Sequence, residues 1–351
     1  MNATGKGVVR YRSIDFLKGI ACIAVILIHI QFPGTVGFTV RQVCRFAVPF
    51  FFLVSGFFFL KTDKQLEATA RKLRHAIFLF LGAMAFHLVI CVLGIGGGPL
   101  RSYIREFLQT PQLLNFFVSN PPYRWTHLWF LGALVYIYLF ALIWFGNGKR
   151  LWSAAPIGAV LLVGTMAFQE FAEYLPFSPM IPVVGVRFCV LFVFRALPFF
   201  LLGVWIRTKE DAIRAIRLPT PWLVIIIISG AILAVIEAKL TVNSQFYIGN
   251  YLMVAGMFLW AIRNPVTGYR PINYIGENLS IYVYVIHIAV GKWINDIIRH
   301  AGIASCPSIF WITPLLVILF SFGLSFCFSA FMRIICAGEN YLSRHVLLPK
   351  N

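Results

Sequence analysis

Asp15-Phe16-Leu17-Lys18-Gly19-Ile20-Ala21-Cys22-Ile23-Ala24-Val25-Ile26-Leu27-Ile28-His29 is a nearly unbroken apolar run with a cation near its start and one ionisable ring far along it. Lys18 and His29 are eleven residues apart, which in an α-helix is roughly 16 Å along the axis and about 20° from a whole number of turns, so they share a face. Asp15, Cys22 and His29 follow one another at seven-residue intervals on the same stripe. The segment therefore reads as a helix with a polar seam through apolar surroundings. With Lys18 at the edge of a hydrocarbon core of about 30 Å, His29 is expected near the midplane.

The rest of the chain agrees with a lipid environment. Hydrophobic residues make up 60% of the sequence and charged residues only 12%, and the mean hydropathy is +0.83. These values lie outside the range of soluble domains and imply an all-α integral membrane protein. About ten transmembrane helices are expected, near 14–32, 41–60, 75–95, 127–146, 152–168, 187–206, 222–237, 247–262, 274–291 and 309–334. They form a single domain over 1–351, with no appended soluble domain expected and no cleavable signal at the amino terminus. Lys and Arg concentrate in connections such as 61–74 and 207–221, which places both termini in the cytoplasm. The net charge of +18 is thus topological and lipid-facing, and no nucleic acid partner is expected. The seven cysteines have neither disulfide nor zinc-type spacing, so no metal site is expected.

Several positions carry chemistry. Arg71 and Arg74, at i and i+3, are read at the amino-terminal end of the third span, where two guanidiniums suit a phosphate. On spacing alone the reading as a topological anchor is the favoured one. Residues 96–126 form the longest outer connection, a length that suggests a functional loop. It leads into Trp125-Thr126-His127-Leu128-Trp129, where His127 and Trp129 read either as an interfacial belt or as a surface for stacking a substrate. Glu170 and Glu173 lie in the next outer loop. Arg195 interrupts Val190–Phe200, and a guanidinium there must face a polar interior. Pro49 should loosen the second span. His87 and His287, nearer the outer interface, are lesser candidates than His29.

Lys18-X10-His29, Arg71-X-X-Arg74, Val54-Ser55-Gly56-Phe57-Phe58, Leu128-Trp129-Phe130-Leu131, Arg195-Ala196-Leu197-Pro198-Phe199-Phe200 and Ser280-Ile281-Tyr282-Val283-Tyr284-Val285-Ile286-His287 together resemble the acyltransferase-three family of membrane acyltransferases. The resemblance implies a ten-helix bundle in a bacterial cytoplasmic (inner) membrane. Its implied reaction moves an acyl group, usually acetyl, from cytosolic acyl-CoA to a hydroxyl of an extracytoplasmic or lipid-linked glycan. His29 would be catalytic, as general base or as nucleophile. Lys18, Arg71 and Arg74 would bind the phosphates of coenzyme A, and Arg195, with His127 and Trp129, would line the substrate cavity. No tightly bound cofactor is expected, acetyl-CoA being a co-substrate. Relay to a distant acceptor would need an extracytoplasmic partner protein. The competing class is a transporter or flippase of a glycan or lipid-linked intermediate, which would also use buried cations and an intramembrane histidine.

Overall fold

The computed structural model describes residues 11–60, 64–94, 100–109, 125–146, 150–166, 192–241 and 247–345. Every regular element among them is helical: α1 (Arg12–His29), α2 (Gly34–Cys44), α3 (Ala47–Phe57), α4 (Gln65–Val92), α5 (Leu100–Phe107), α6 (Trp129–Phe145), α7 (Ala154–Thr165), α8 (Leu197–Thr208), α9 (Glu210–Ala215), α10 (Thr220–Leu240), α11 (Ile248–Arg263), α12 (Arg270–Tyr274), α13 (Ser280–His300) and α14 (Pro307–His345). We call the end of the bundle at which α1 begins, at Arg12, the near end and the opposite end the far end.

Six runs among the described residues are long and apolar enough to cross a membrane: Gly34–Phe57, Gln65–Val92, Thr126–Phe145, Thr220–Leu240, Arg270–His300 and Pro307–Ile334. Shorter apolar helices stand at three further expected crossings, in Leu151–Thr165, Leu197–Thr208 and Ile248–Arg263. α1 is 18 residues long and carries Arg12, Asp15 and Lys18 in its first half. The outer-loop carboxylates Glu170 and Glu173, and most of the 96–126 connection, lie outside the described residues.

Several boundaries differ from expectation: among the described residues the span expected at 187–206 is helical only from Leu197, and the one expected at 274–291 runs on to His300. Two further differences have a local reason. The second span begins at Gly34, not near 41, because the chain turns back straight after Pro33. It is broken at Arg45 and Phe46, between α2 and α3. Pro49 explains the position of the break, since its ring excludes the helical carbonyl four residues earlier and is tolerated only in a first turn. α4 begins at Gln65, ten residues before the expected start. Gln65 to His75 contains no Gly or Pro and is rich in Leu, Ala, Glu, Lys and Arg, all good helix formers. Arg71 and Arg74 consequently sit in the second and third turns, away from the free amide groups of the helix start, and both are exposed.

The centre of the bundle is packed with aromatic rings. Phe50, Phe52, Phe57, Phe59, Phe145, Phe199, Phe200 and Phe258 are fully buried. Phe57 meets Phe258 edge to face at 5.2 Å, and Phe59 meets Phe200 at 5.3 Å. In lipid, where burying apolar surface gives little drive, such contacts and close helix approach hold the helices together. Exposed Phe78, Ile143, Val160 and Leu319 give the outside its apolar character.

Close approach is most pronounced where α1 meets Arg270–His300. A Cβ on Gly276 would overlap the Asp15 carbonyl oxygen, and one on Gly19 would overlap that of Ile272. Farther along, the Ile30 side chain lies on Gly291, so the two helices run parallel. At the contact Ile275–Leu279 widens into a π-turn, a feature frequent at functional sites. The start of α1 is tied down separately. The Tyr11 hydroxyl donates to Glu210, which also pairs with Arg207 and, at 2.9 Å, with Arg214. The 207–221 segment, read from sequence as topology alone, is thus a clamp on α1. Burial first, then the Glu210 carboxylate, raises the Tyr11 phenol above its ordinary value.

Candidate active site

Four of the seven histidines meet in one place. His29 ends α1, His87 comes from α4, His127 from the Thr126–Leu128 turn ahead of α6, and His287 from α13. Ring centroids are 5.3 Å apart for His29 and His287, 5.6 Å for His127 and His287, 4.8 Å for His87 and His127, and 6.4 Å for His29 and His127. α1 stops beside the middle of its parallel neighbour, since His287 lies near the centre of the 31-residue Arg270–His300 run.

The hydrogen bonds assign the protons. His287 Nδ1 lies 3.0 Å from the Val283 carbonyl and 2.8 Å from that of Tyr284. Carbonyls only accept, so this nitrogen carries the hydrogen and Nε2 presents a lone pair. His287 is fully buried, and its Nε2 has no hydrogen-bond partner. His87 Nε2 lies 3.1 Å from the Val285 carbonyl and 3.1 Å from His127 Nε2. By the same reasoning His87 donates and His127 accepts. Tyr284 donates to the His127 carbonyl, fixing the backbone that carries that ring. Trp125 stacks on His87 at 5.6 Å and is itself buried.

His29 differs from the other three. His87, His127 and His287 are buried, whereas His29 is exposed. It is the one residue of the four that is not buried, and its ring lies beside that of His287, whose Nε2 is unpartnered. Two cations lie within electrostatic reach, Arg41 of His29 and Lys292 of both His87 and His127. An arrangement of this kind can take a proton from a hydroxyl and hold developing negative charge beside it. Among the described residues no set of three His, Cys, Asp or Glu is arranged to hold a metal ion.

The other expected residues are spread along the bundle. Lys18, at the near end of the seam, pairs with Asp15 at 3.4 Å. Cys22, farther along that seam toward His29, is buried among apolar side chains. A recess of about 350 Å³ opens beside Asp15, with Arg12, Arg270, Asn273, Tyr274 and Glu277 in its lining. Arg71 and Arg74 stand at the near end of α4. Trp129 packs on Phe52 at 5.8 Å, so the tryptophan that meets the histidines is Trp125. Arg195 lies in the turn before α8, within reach of Arg45 and Tyr251.

A family model described as an acyltransferase domain matches residues 11–334, nearly the whole chain. No curated protein and no solved structure matches.

Proposed function

The chain belongs to the acyltransferase-three family, and on that footing we propose that it transfers an acyl group, acetyl foremost, from acyl-CoA to a hydroxyl of an extracytoplasmic or lipid-linked glycan. The observation that carries this reading is the imidazole of exposed His29 set beside the ring of His287, with its buried, unpartnered Nε2. In the scheme, a neutral ring nitrogen of His29 removes the proton of the acceptor hydroxyl, whose oxygen attacks the thioester carbonyl. The tetrahedral oxyanion develops near Arg41 and Lys292. Its collapse breaks the carbon–sulfur bond, and the departing thiolate of coenzyme A takes the proton from His29.

The donor would enter from a cytosolic near end in a bacterial inner membrane. Lys18, Arg71 and Arg74 would hold its phosphates, with the recess between Arg12 and Arg270 open beside Lys18's partner Asp15. A molecule anchored there needs an arm of roughly 16 Å to reach His29, a length that suits the pantetheine chain of acyl-CoA. Acetyl-CoA is a co-substrate in this scheme, and the protein needs no tightly bound cofactor.

The test is acyl transfer in isolated membranes from radiolabelled acetyl-CoA. His29→Ala should lower the rate by about 10²–10⁴-fold, and Arg71→Ala should raise the donor KM. A well-expressed His29→Ala protein with full activity would overturn the assignment.

A further inference from the structure

At the far end, α2, α11 and the turn before α8 meet around a polar nest that the acyl-transfer scheme leaves unused. Gln42 is 3% exposed, Arg45 7% and Asn250 0%. Asn250 Nδ2 donates to the Gln42 carbonyl at 3.1 Å. Arg45 Nη1 donates to the Tyr247 hydroxyl at 3.4 Å, and its guanidinium lies over that ring, 5.4 Å from the centroid. Arg41 is one helical turn before Arg45. Arg45 is within electrostatic reach of Arg41, and Arg195 is within reach of Arg45 and Tyr251. Two elements therefore bring three guanidiniums to one place inside the bundle.

Three atoms of the nest are buried without a hydrogen-bond partner: Gln42 Oε1, Asn250 Oδ1 and Arg41 Nε. Leaving a buried polar atom unpaired is costly, and buried polar atoms are almost always paired. Two carbonyl-type acceptors stand open, and they can be satisfied only by donors such as hydroxyls. The neighbouring guanidiniums, in addition to the partners they already hold, are groups that bind an acceptor with negative charge. One ligand class meets both demands, a polyhydroxylated molecule with an anionic group. Arg41 also lies within reach of His29, so the nest adjoins that imidazole.

We propose that this nest is the acceptor site and that its acceptor is an acidic saccharide, with the anionic group on Arg41, Arg45 and Arg195 and hydroxyls on Gln42 and Asn250. The proposal rests on the acyltransferase reading above and names the acceptor class within it. A carboxylate or a phosphate would supply the charge equally well. An anionic phospholipid headgroup offers the charge with fewer hydroxyls.

The test uses the full-length protein in phosphatidylcholine nanodiscs, without acyl donor. Binding of trigalacturonic acid, its methyl ester and mannose 6-phosphate is measured, the last separating phosphate from carboxylate. At least one acidic sugar should bind tenfold or more tightly than the neutral ester. Arg195→Gln should remove that preference and Arg195→Lys should retain part of it. Gln42→Leu removes an atom that has no partner, so it should weaken binding several-fold while leaving thermal stability unchanged. Equal affinity for acid and ester would overturn the proposal. So would unaltered binding in both Arg195→Gln and Gln42→Leu, or stabilisation by phosphatidylglycerol nanodiscs alone. Acidic-sugar binding without acyl transfer from acetyl-CoA would uphold the anionic site and sink the reaction. Transfer to the methyl ester as fast as to the acid would do the reverse.

Discussion

His87 and His127 are 40 residues apart in sequence, yet their Nε2 atoms lie 3.1 Å from one another, with the Val285 carbonyl sharing the same His87 hydrogen. One nitrogen donates and the other accepts, so neither ring can be altered without changing what the other does. Single substitutions His87→Ala and His127→Ala should each lower acyl transfer. The double variant should be much less impaired than the product of the two, with a coupling of about 0.5–3 kcal/mol in a double-mutant cycle. Effects that multiply would show that the two rings act separately.

His287 should contribute through its unpartnered nitrogen more than through its bulk. His287→Phe keeps a planar ring in the packed site and removes the lone pair. We expect kcat to fall about 100-fold or more, with the donor KM nearly unchanged. Steady-state kinetics in nanodiscs measures both; a change confined to KM would place His287 in donor binding instead.

Gly276 and Gly82 form a matched pair. A Cβ on Gly276 would overlap the Asp15 backbone, whereas one on Gly82 meets nothing within 4 Å. Gly276→Ala must push α1 off its neighbour and should destabilise the protein by about 1–3 kcal/mol or more. Gly82→Ala should be neutral or stabilising by up to about 1 kcal/mol, since alanine is the better helix former. Thermal unfolding in detergent, followed by size-exclusion chromatography, compares the two directly.

The clamp on α1 should loosen in alkali. Burial and the Glu210 carboxylate raise the Tyr11 phenol above its ordinary value of about 10. A raised pKa in the folded state means the stabilisation is complete below pH 10 and is lost as pH rises through the folded value. The wild type should therefore lose thermal stability between pH 10 and higher pH faster than Tyr11→Phe, which has no phenolic proton to release. Identical pH profiles for the two proteins would remove Tyr11 from the clamp.

How much of this was legible in the sequence depends on whether the relationship is local. The seam from Lys18 to His29 follows from helical periodicity alone, and α1 is helical over that whole stretch. A guanidinium at Arg195 inside an apolar run had to face polar company, and it lies near Tyr251 and Arg45. The histidine cluster was not legible, because His87, His127 and His287 reach His29 through helix packing that no spacing encodes. A partial signal was present: each ring falls toward the far end of its own span once the spans alternate. Arg71 and Arg74 do not stand at a helix start as expected, since α4 extends ten residues beyond its apolar part. Arg41 and Arg45 were passed over for a similar reason. They stand at the start of the span expected at 41–60, but with α2 beginning at Gly34 they fall well inside the Gly34–Phe57 run.

The glycine contact between α1 and its parallel neighbour also acts as a fulcrum. Gly19 rests on the backbone at Ile272 and Gly276 rests on Asp15, with the charged near end of α1 on one side and His29 on the other. From Gly19 to His29 the helix is roughly 15 Å long, so a tilt of about 5° moves the imidazole by roughly 1.3 Å. Such a swing is comparable with the difference between ring contact and a hydrogen bond for His29 and His287. A tilt of α1 about Gly19 and Gly276 would therefore change the gap between His29 and His287.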